Sequence, residues 1–161
     1  MVATTHLPLP ELASAGTPAA LTLADIEKLS TFRTGLRQYL QHSHLFCEIF
    51  DLTDLQYVFL LTVKALDAQH QATYRTLKAE LSLTDSVLTK LVRRSLKSDL
   101  LTMAPAPPGE SGQCFRLSTA GDRLIATLAA LHKKEFERFQ TRFTRQCDTH
   151  CESPICWKGS D

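Results

Sequence analysis

The 161-residue sequence has no apolar run of the length, about eighteen residues, that a membrane-spanning helix needs. Its first two dozen residues, MVATTHLPLPELASAGTPAALTLA, hold no cluster of lysine or arginine and no uninterrupted apolar stretch. They therefore read as neither a secretory signal nor an anchor, and a soluble, cytoplasmic protein with no membrane partner is expected. Neither sign of charge is in surplus. With 18 basic and 17 acidic residues the net charge is +1, so no global field draws the chain to nucleic acid or to a lipid surface, and any basic footprint has to be local. Catalytic signatures are missing as well: there is no G-x-S-x-G, no P-loop, no H-E-x-x-H and no G-x-G-x-x-G, which points away from an enzyme. The five cysteines make an odd count. Without an export signal they argue against a disulfide framework and for thiols or metal ligands.

What is present is enough apolar material, 43% of the chain, for one compact core, and too little length for two comfortable domains. Residues 1–24 carry prolines, alanines and threonines with little apolar periodicity and read as a leader. Residues 25–145 read as the folded domain, and 146–161 as a cysteine-containing tail. From Asp25 the apolar residues Ile26, Leu29, Phe32, Leu36, Tyr39 and Leu40 recur at three- and four-residue steps, which predicts an amphipathic helix ending around Phe46. Asp51-Leu52-Thr53 then offers a cap for a second helix, apolar on several sides through Leu55, Val58, Phe59, Leu61 and Leu66, and so a buried one.

A short helix from about Ala72 to Leu81 follows, with Tyr74, Leu77 and Leu81 facing inward. After a turn at Ser82-Leu83, Thr84 or Asp85 caps a further helix whose inner face is Val87, Leu88, Leu91, Val92 and Leu96. Two short helices joined by three or four residues are the elements of a helix-turn-helix. Asp99 suits the left-handed turn that closes such a helix. Leu100 to Ala104 and Cys114 to Leu117 read as the two strands of a hairpin around the Pro/Gly-rich tip PAPPGESGQ, a wing. The last helix, from Thr119 to about Arg145, carries Leu124, Leu128, Leu131, Phe136, Phe139 and Phe143 on one stripe. That stripe is longer than one small domain covers, which calls for a second subunit. The fold expected is mainly α with a small β-hairpin wing: a winged helix-turn-helix flanked by N- and C-terminal dimerisation helices.

With its apolar residues turned inward, the helix after Thr84 leaves Ser86, Thr89, Lys90, Arg93, Arg94 and Lys97 outward. Ser, Thr and Lys in its N-terminal half reach base edges in a major groove, while Arg93, Arg94 and Lys97 suit phosphates. Four cations on one helix are also an ordinary solvated face. The order of elements (short helix, turn, basic helix, hairpin, long helix) is what assigns them to nucleic acid.

LTDLQYVFLL, LKAELSLTDSVLTKLVRRSLKSDLL and RLSTAGDRLI together resemble the MarR family of transcriptional regulators over roughly residues 25–140. RLSTAG after a hairpin is the most specific part. The resemblance implies a homodimeric repressor of a pseudo-palindromic operator in double-stranded DNA. Its DNA-binding lobe would span about 53–118, and its dimerisation helices about 25–46 and 119–145. It places Ser86, Val87, Thr89 and Lys90 in the major groove and Arg93 and Arg94 on the backbone, to which Thr84, Lys97 and Arg116 are added here as candidate contacts. The wing departs from the family's Asp-x-Arg pattern, since PAPPGESGQ holds no cation before Arg116. The family also implies a small-molecule effector bound between the dimer region and the DNA-binding lobe, for which Tyr39, Phe46, Cys47 and Tyr57 are the candidates by helix position. His42 and His44 are either further lining or solvated helix-end residues. Cys47 is either a peroxide-sensing thiol of the kind the family includes or a small apolar filler.

Cys147, His150, Cys151 and Cys156 stand close together in RQCDTHCESPICWK, and thiolates with an imidazole suit zinc or an iron–sulfur cluster. Their C-x3-C-x4-C spacing fits neither the usual zinc pairs nor a common ferredoxin run. The tail is thus read either as a metal or redox site or as a segment with incidental cysteines. Two further function classes stay open beside the repressor: a protein-interaction adaptor that kept the winged scaffold without specific DNA binding, and a sensor whose input is the cysteine tail.

Overall fold

The computed structural model describes residues 21–67, 71–105 and 113–148, with side chains as far as Thr141. Its elements run α1 (Leu23–Ile49), α2 (Asp54–Asp67), α3 (Tyr74–Glu80), α4 (Asp85–Lys97), β1 (Leu101–Pro105), β2 (Gln113–Leu117) and α5 (Thr119–Asp148). The expected class, mainly α with a two-stranded wing, is the observed one. Beyond the described residues lie most of the leader, the wing tip and the tail past Asp148.

Helix α1 opens on a capping box, in which the Thr22 hydroxyl accepts from the Asp25 amide while the Asp25 carboxylate accepts from the Thr22 amide. The helix outruns the expected end at Phe46 by three residues. It packs along α5 through aromatic pairs: Phe32 with Phe139 at a centroid separation of 6.0 Å, and Tyr39 with Phe136 and Phe139 at 6.4 and 6.1 Å. Gly35 lies under the Phe139 ring, with no room for a β-carbon unless that ring gives way.

Three helices end in the same way. Asp51 after α1, Ser82 after α3 and Asp99 after α4 have φ of 53°, 49° and 53°. The leucine that follows each one, Leu52, Leu83 or Leu100, donates its amide back to Cys47, Lys78 or Ser95. This is the Schellman closure, with an aspartate or serine where glycine is usual. Asp99 was expected in the left-handed region from the sequence; Asp51 and Ser82 follow the same rule.

The core gathers Phe59, Leu60 and Val63 of α2, Leu77 of α3, Leu88 and Leu91 of α4, Leu101 and Phe115 of the strands, and Ile125 and Leu128 of α5. β1 and β2 pair antiparallel with Met103 opposite Phe115. The expected start of α3 at Ala72 is corrected to Tyr74. Ala72 and Thr73 are extended instead: the Ala72 carbonyl accepts from the Phe115 amide at 2.8 Å, and Thr73 bridges to Cys114. The wing thus gains a short third partner from the chain entering α3. Among the described residues no helix is long and apolar enough to cross a membrane.

Candidate nucleic-acid interface

Helix α4 is held on its inner side by Leu88, Leu91 and Ser95, all buried, with Val87, Val92 and Leu96 half-buried against the same core. At ~100° per residue, Ser86, Lys90, Arg93 and Lys97 fall on one stripe opposite that face. All four are exposed, and among the described residues none of them has an intrachain hydrogen bond or ion pair. Asp85, the one acidic residue in the first turn, is occupied by Lys78 of α3 at 2.6 Å. The outward stripe therefore presents a hydroxyl followed by three uncompensated cations.

The other sequence candidates are placed differently. Thr84 occupies the N-cap position in extended geometry, but its side chain makes no capping bond. Val87 packs against the core rather than standing free. Thr89 is exposed and its hydroxyl is 3.0 Å from the phenol of Tyr74. Arg94 reaches back across the lobe and donates to the Asp51 carbonyl at 3.4 Å. Arg116 on β2 pairs with Asp67 of α2 at 3.0 Å. The sequence candidates thus divide into a stripe without intrachain partners among the described residues and a set already engaged in holding α4 and the wing to the body.

Position and tilt of α4 are set from three sides. Tyr74 of α3 reaches its N-terminal turns. Gln56 of α2 and Ser95 of α4, both buried, approach to 3.5 Å, and among the described residues the Gln56 Oε1 has no partner. At the C-terminus, Ser118 fastens the helix exit to α5: its amide donates to the Leu100 carbonyl, its hydroxyl donates to the Asp99 carbonyl, and the same oxygen accepts from the Gly121 amide. The Ser-x-x-Gly of RLSTAG is thus a joint between α4, the wing and α5. Tyr74 and Gln56 were not singled out from the sequence. The available signal was a hydrogen-bonding side chain at a position the apolar period assigns to the inside.

The effector-pocket candidates converge at the α1–α2–α5 junction as packed side chains. Cys47 is fully buried and Tyr57 nearly so. The unforeseen centre of this cluster is His132 of α5, stacked on Tyr57 at 4.4 Å and edge-on to Phe46 at 5.5 Å. Its Nδ1 donates to the Leu128 carbonyl at 2.8 Å, and its Nε2 lies 2.9 Å from the Ser43 hydroxyl. Burial, and next the Asp54 carboxylate together with a hydrogen bond to it, push the Cys47 thiol up to about 11. The thiol is therefore protonated at neutral pH, the form that reacts poorly with oxidants. Burial, then Tyr39 and Cys47, push Tyr57 up to about 12.

His42 bonds Glu135 of α5 at 2.9 Å and His44 bonds Asp54 at 3.0 Å. Together with Arg33, Arg37 and Leu40 these histidines also line an open groove on the outer face of α1. The His42 bond, with help from Arg138, holds the Glu135 carboxyl below its usual range. Cys147 falls in the last turn of α5, while His150, Cys151 and Cys156 lie outside the described residues. Among the described residues no group of three histidine, cysteine or acidic side chains is arranged to hold a metal ion.

No protein-family model and no curated protein sequence matches the chain. Its shape, by contrast, has counterparts among solved structures. RV1404 from Mycobacterium tuberculosis aligns with a TM-score of 0.63 and 18% identity over 86% of this chain and 99% of that one. AbsC, a MarR family transcriptional regulator from Streptomyces coelicolor, aligns with a TM-score of 0.60 and 16% identity over 83% and 86%. A mutant of S. aureus MepR bound to an oligodeoxyribonucleotide aligns at 0.58 and 17% over 75% and 96%. The chain has the MarR-like winged helix-turn-helix fold.

Proposed function

We propose that this protein is a DNA-binding transcriptional regulator of the MarR type, acting as a homodimeric repressor on a pseudo-palindromic operator. The observation that carries the reading is the free stripe Ser86, Lys90, Arg93 and Lys97 on α4, on a fold whose counterparts include one bound to an oligodeoxyribonucleotide. Three cations without intrachain partners among the described residues lie along the helix that would enter the groove, where each neutralised phosphate releases counterions and strengthens binding at low salt.

Dimerisation is supported by exposed apolar side chains along α1. Ile26, Leu29 and Leu40 on one flank, and Leu45 and Ile49 on another, are each more than half exposed, and a second copy would cover them. Two symmetric subunits then read half-sites about one helical turn apart. Release from DNA would come from a small ligand entering the α1–α2–α5 junction at Tyr39, Phe46, Cys47 and Tyr57, or from a metal such as zinc, an iron–sulfur cluster or an oxidant acting at the C-terminal cysteines. Either input acts only through a difference in affinity between two conformations.

The test is binding of the full chain to fluorescent genomic fragments flanking its own coding sequence, across a salt series, with and without reductant. Saturable binding to one fragment that weakens steeply with salt supports the regulator. Equal, weak binding to every fragment removes specific DNA recognition and leaves the interaction adaptor.

A further inference from the structure

The hydroxyl of Tyr74 lies 3.0 Å from the Asp85 carbonyl and 3.0 Å from the Thr89 hydroxyl. A phenol has one proton to give. The carbonyl can only accept, so that proton goes to Asp85, and the Tyr74 oxygen becomes the acceptor for Thr89. The Thr89 proton is consequently drawn back toward α3.

Three other helical threonines spend their proton otherwise: Thr62, Thr127 and Thr141 each donate to the carbonyl four residues back. At Thr89 that carbonyl is Asp85, which Tyr74 occupies. Thr89 is exposed on the α4 surface beside Ser86, Lys90 and Arg93. What it offers outward is an oxygen with lone pairs and no proton.

Such a group is unsuited to the backbone of DNA, because a phosphate oxygen also only accepts. In the major groove the donors are the exocyclic amines of adenine and cytosine, whereas guanine O6 and N7 and thymine O4 accept. We propose that Thr89, with its proton held by Tyr74, selects a base carrying a major-groove amine. The proposal rests on the DNA-binding reading of α4 and names a rule for one position in each half-site.

The experiment is selection from a random duplex DNA pool with the full chain, followed by affinities for the enriched site and for copies in which one adenine is replaced by purine or one cytosine by 2-pyrimidinone, each lacking the amine. The expected result is adenine or cytosine at one symmetric position and about fivefold weaker binding when its amine is deleted, the usual net worth of one hydrogen bond. Thr89→Val abolishes the preference, and amine deletion then costs it nothing further.

If the wild-type protein enriches a site and Thr89→Val keeps the same preference, the Thr89 rule is overturned and the regulator stands. If the wild-type chain enriches no sequence, both fall together.

Discussion

Gly121 lies against the main-chain carbonyl of Leu100 so closely that a β-carbon at this position collides with the oxygen. Both partners are backbone, and Leu100 is itself fixed by its amide bond to Ser95 and by the Ser118 amide, so neither can swing aside. The first turn of α5 must therefore be glycine where it crosses the exit of the recognition helix. Gly121→Ala is expected to cost about 1–3 kcal/mol, the range for a forced overlap in a packed site. That is a drop of several degrees in melting temperature for a chain of this size, measurable by thermal unfolding at constant protein concentration.

The outward cations of α4 differ in their prior commitments, and the salt dependence of DNA binding should report this. Arg93→Ala and Lys97→Ala each remove a cation with no intrachain partner among the described residues, and each is expected to lower the slope of log affinity against log salt by about one per subunit. Arg94 already donates to the Asp51 carbonyl. Arg94→Ala is expected to change the slope less and the urea midpoint more. Titrations by fluorescence anisotropy at several salt concentrations separate these outcomes, and three equal slopes would contradict the geometry.

The two high-lying acids at the helix junction give alkaline sensitivity a definite sign. The Cys47 thiol, ordinarily at 9.0, lies at about 11 in the fold, and Tyr57, ordinarily at 10.0, lies at about 12. The folded state prefers the protonated form of both, so their contribution is complete below pH 9. It is lost as pH rises through 9–11 for Cys47 and through 10–12 for Tyr57. Urea midpoints should hold level up to about pH 9 and then fall, and Cys47→Ala should flatten the first part of that fall. At pH 7.5, iodoacetamide should label Cys47 far more slowly in the native protein than in urea, followed by peptide mass.

Sequence periodicity made five helices and a hairpin legible because each helix buries one stripe and the breaks fall at Asp51, Ser82 and Asp99. Boundaries were less legible where tertiary contacts compete with local preference. Ala72 and Thr73 continue a helical pattern, yet the edge of the wing takes them into an extended pairing. At the interface the outward residues of α4 could be read from the 3.6 period. Which of them were free could not, because Tyr74, Asp51 and Asp67 reach Thr89, Arg94 and Arg116 from sequence separations of 15, 43 and 49 residues. His132 carries no local signal at all: its role appears only when Tyr57, Phe46 and Ser43 are brought around it.

The proposed second copy makes a prediction of its own. Replacing Leu40 or Leu29, each more than half exposed on α1, by glutamate places a charge where the partner's apolar face would lie. Sedimentation is expected to shift from dimer to monomer with near-native circular dichroism, since neither side chain is part of the core. DNA affinity should fall steeply in the same variants, because each half-site is then held alone.

The strand-like entry to α3 has a mechanical consequence. Ala72 and Thr73 are laced to β2, β2 to β1, and β1 continues from the exit of α4, so the chain from α3 through the wing closes into a loop of hydrogen bonds with the recognition helix inside it. Such a loop ties α4 and the wing to one another. In the proposed dimer, a signal arriving at α1 or α5 would then move α4 and the wing as a single lever arm, changing the span between two arms rather than the shape of either.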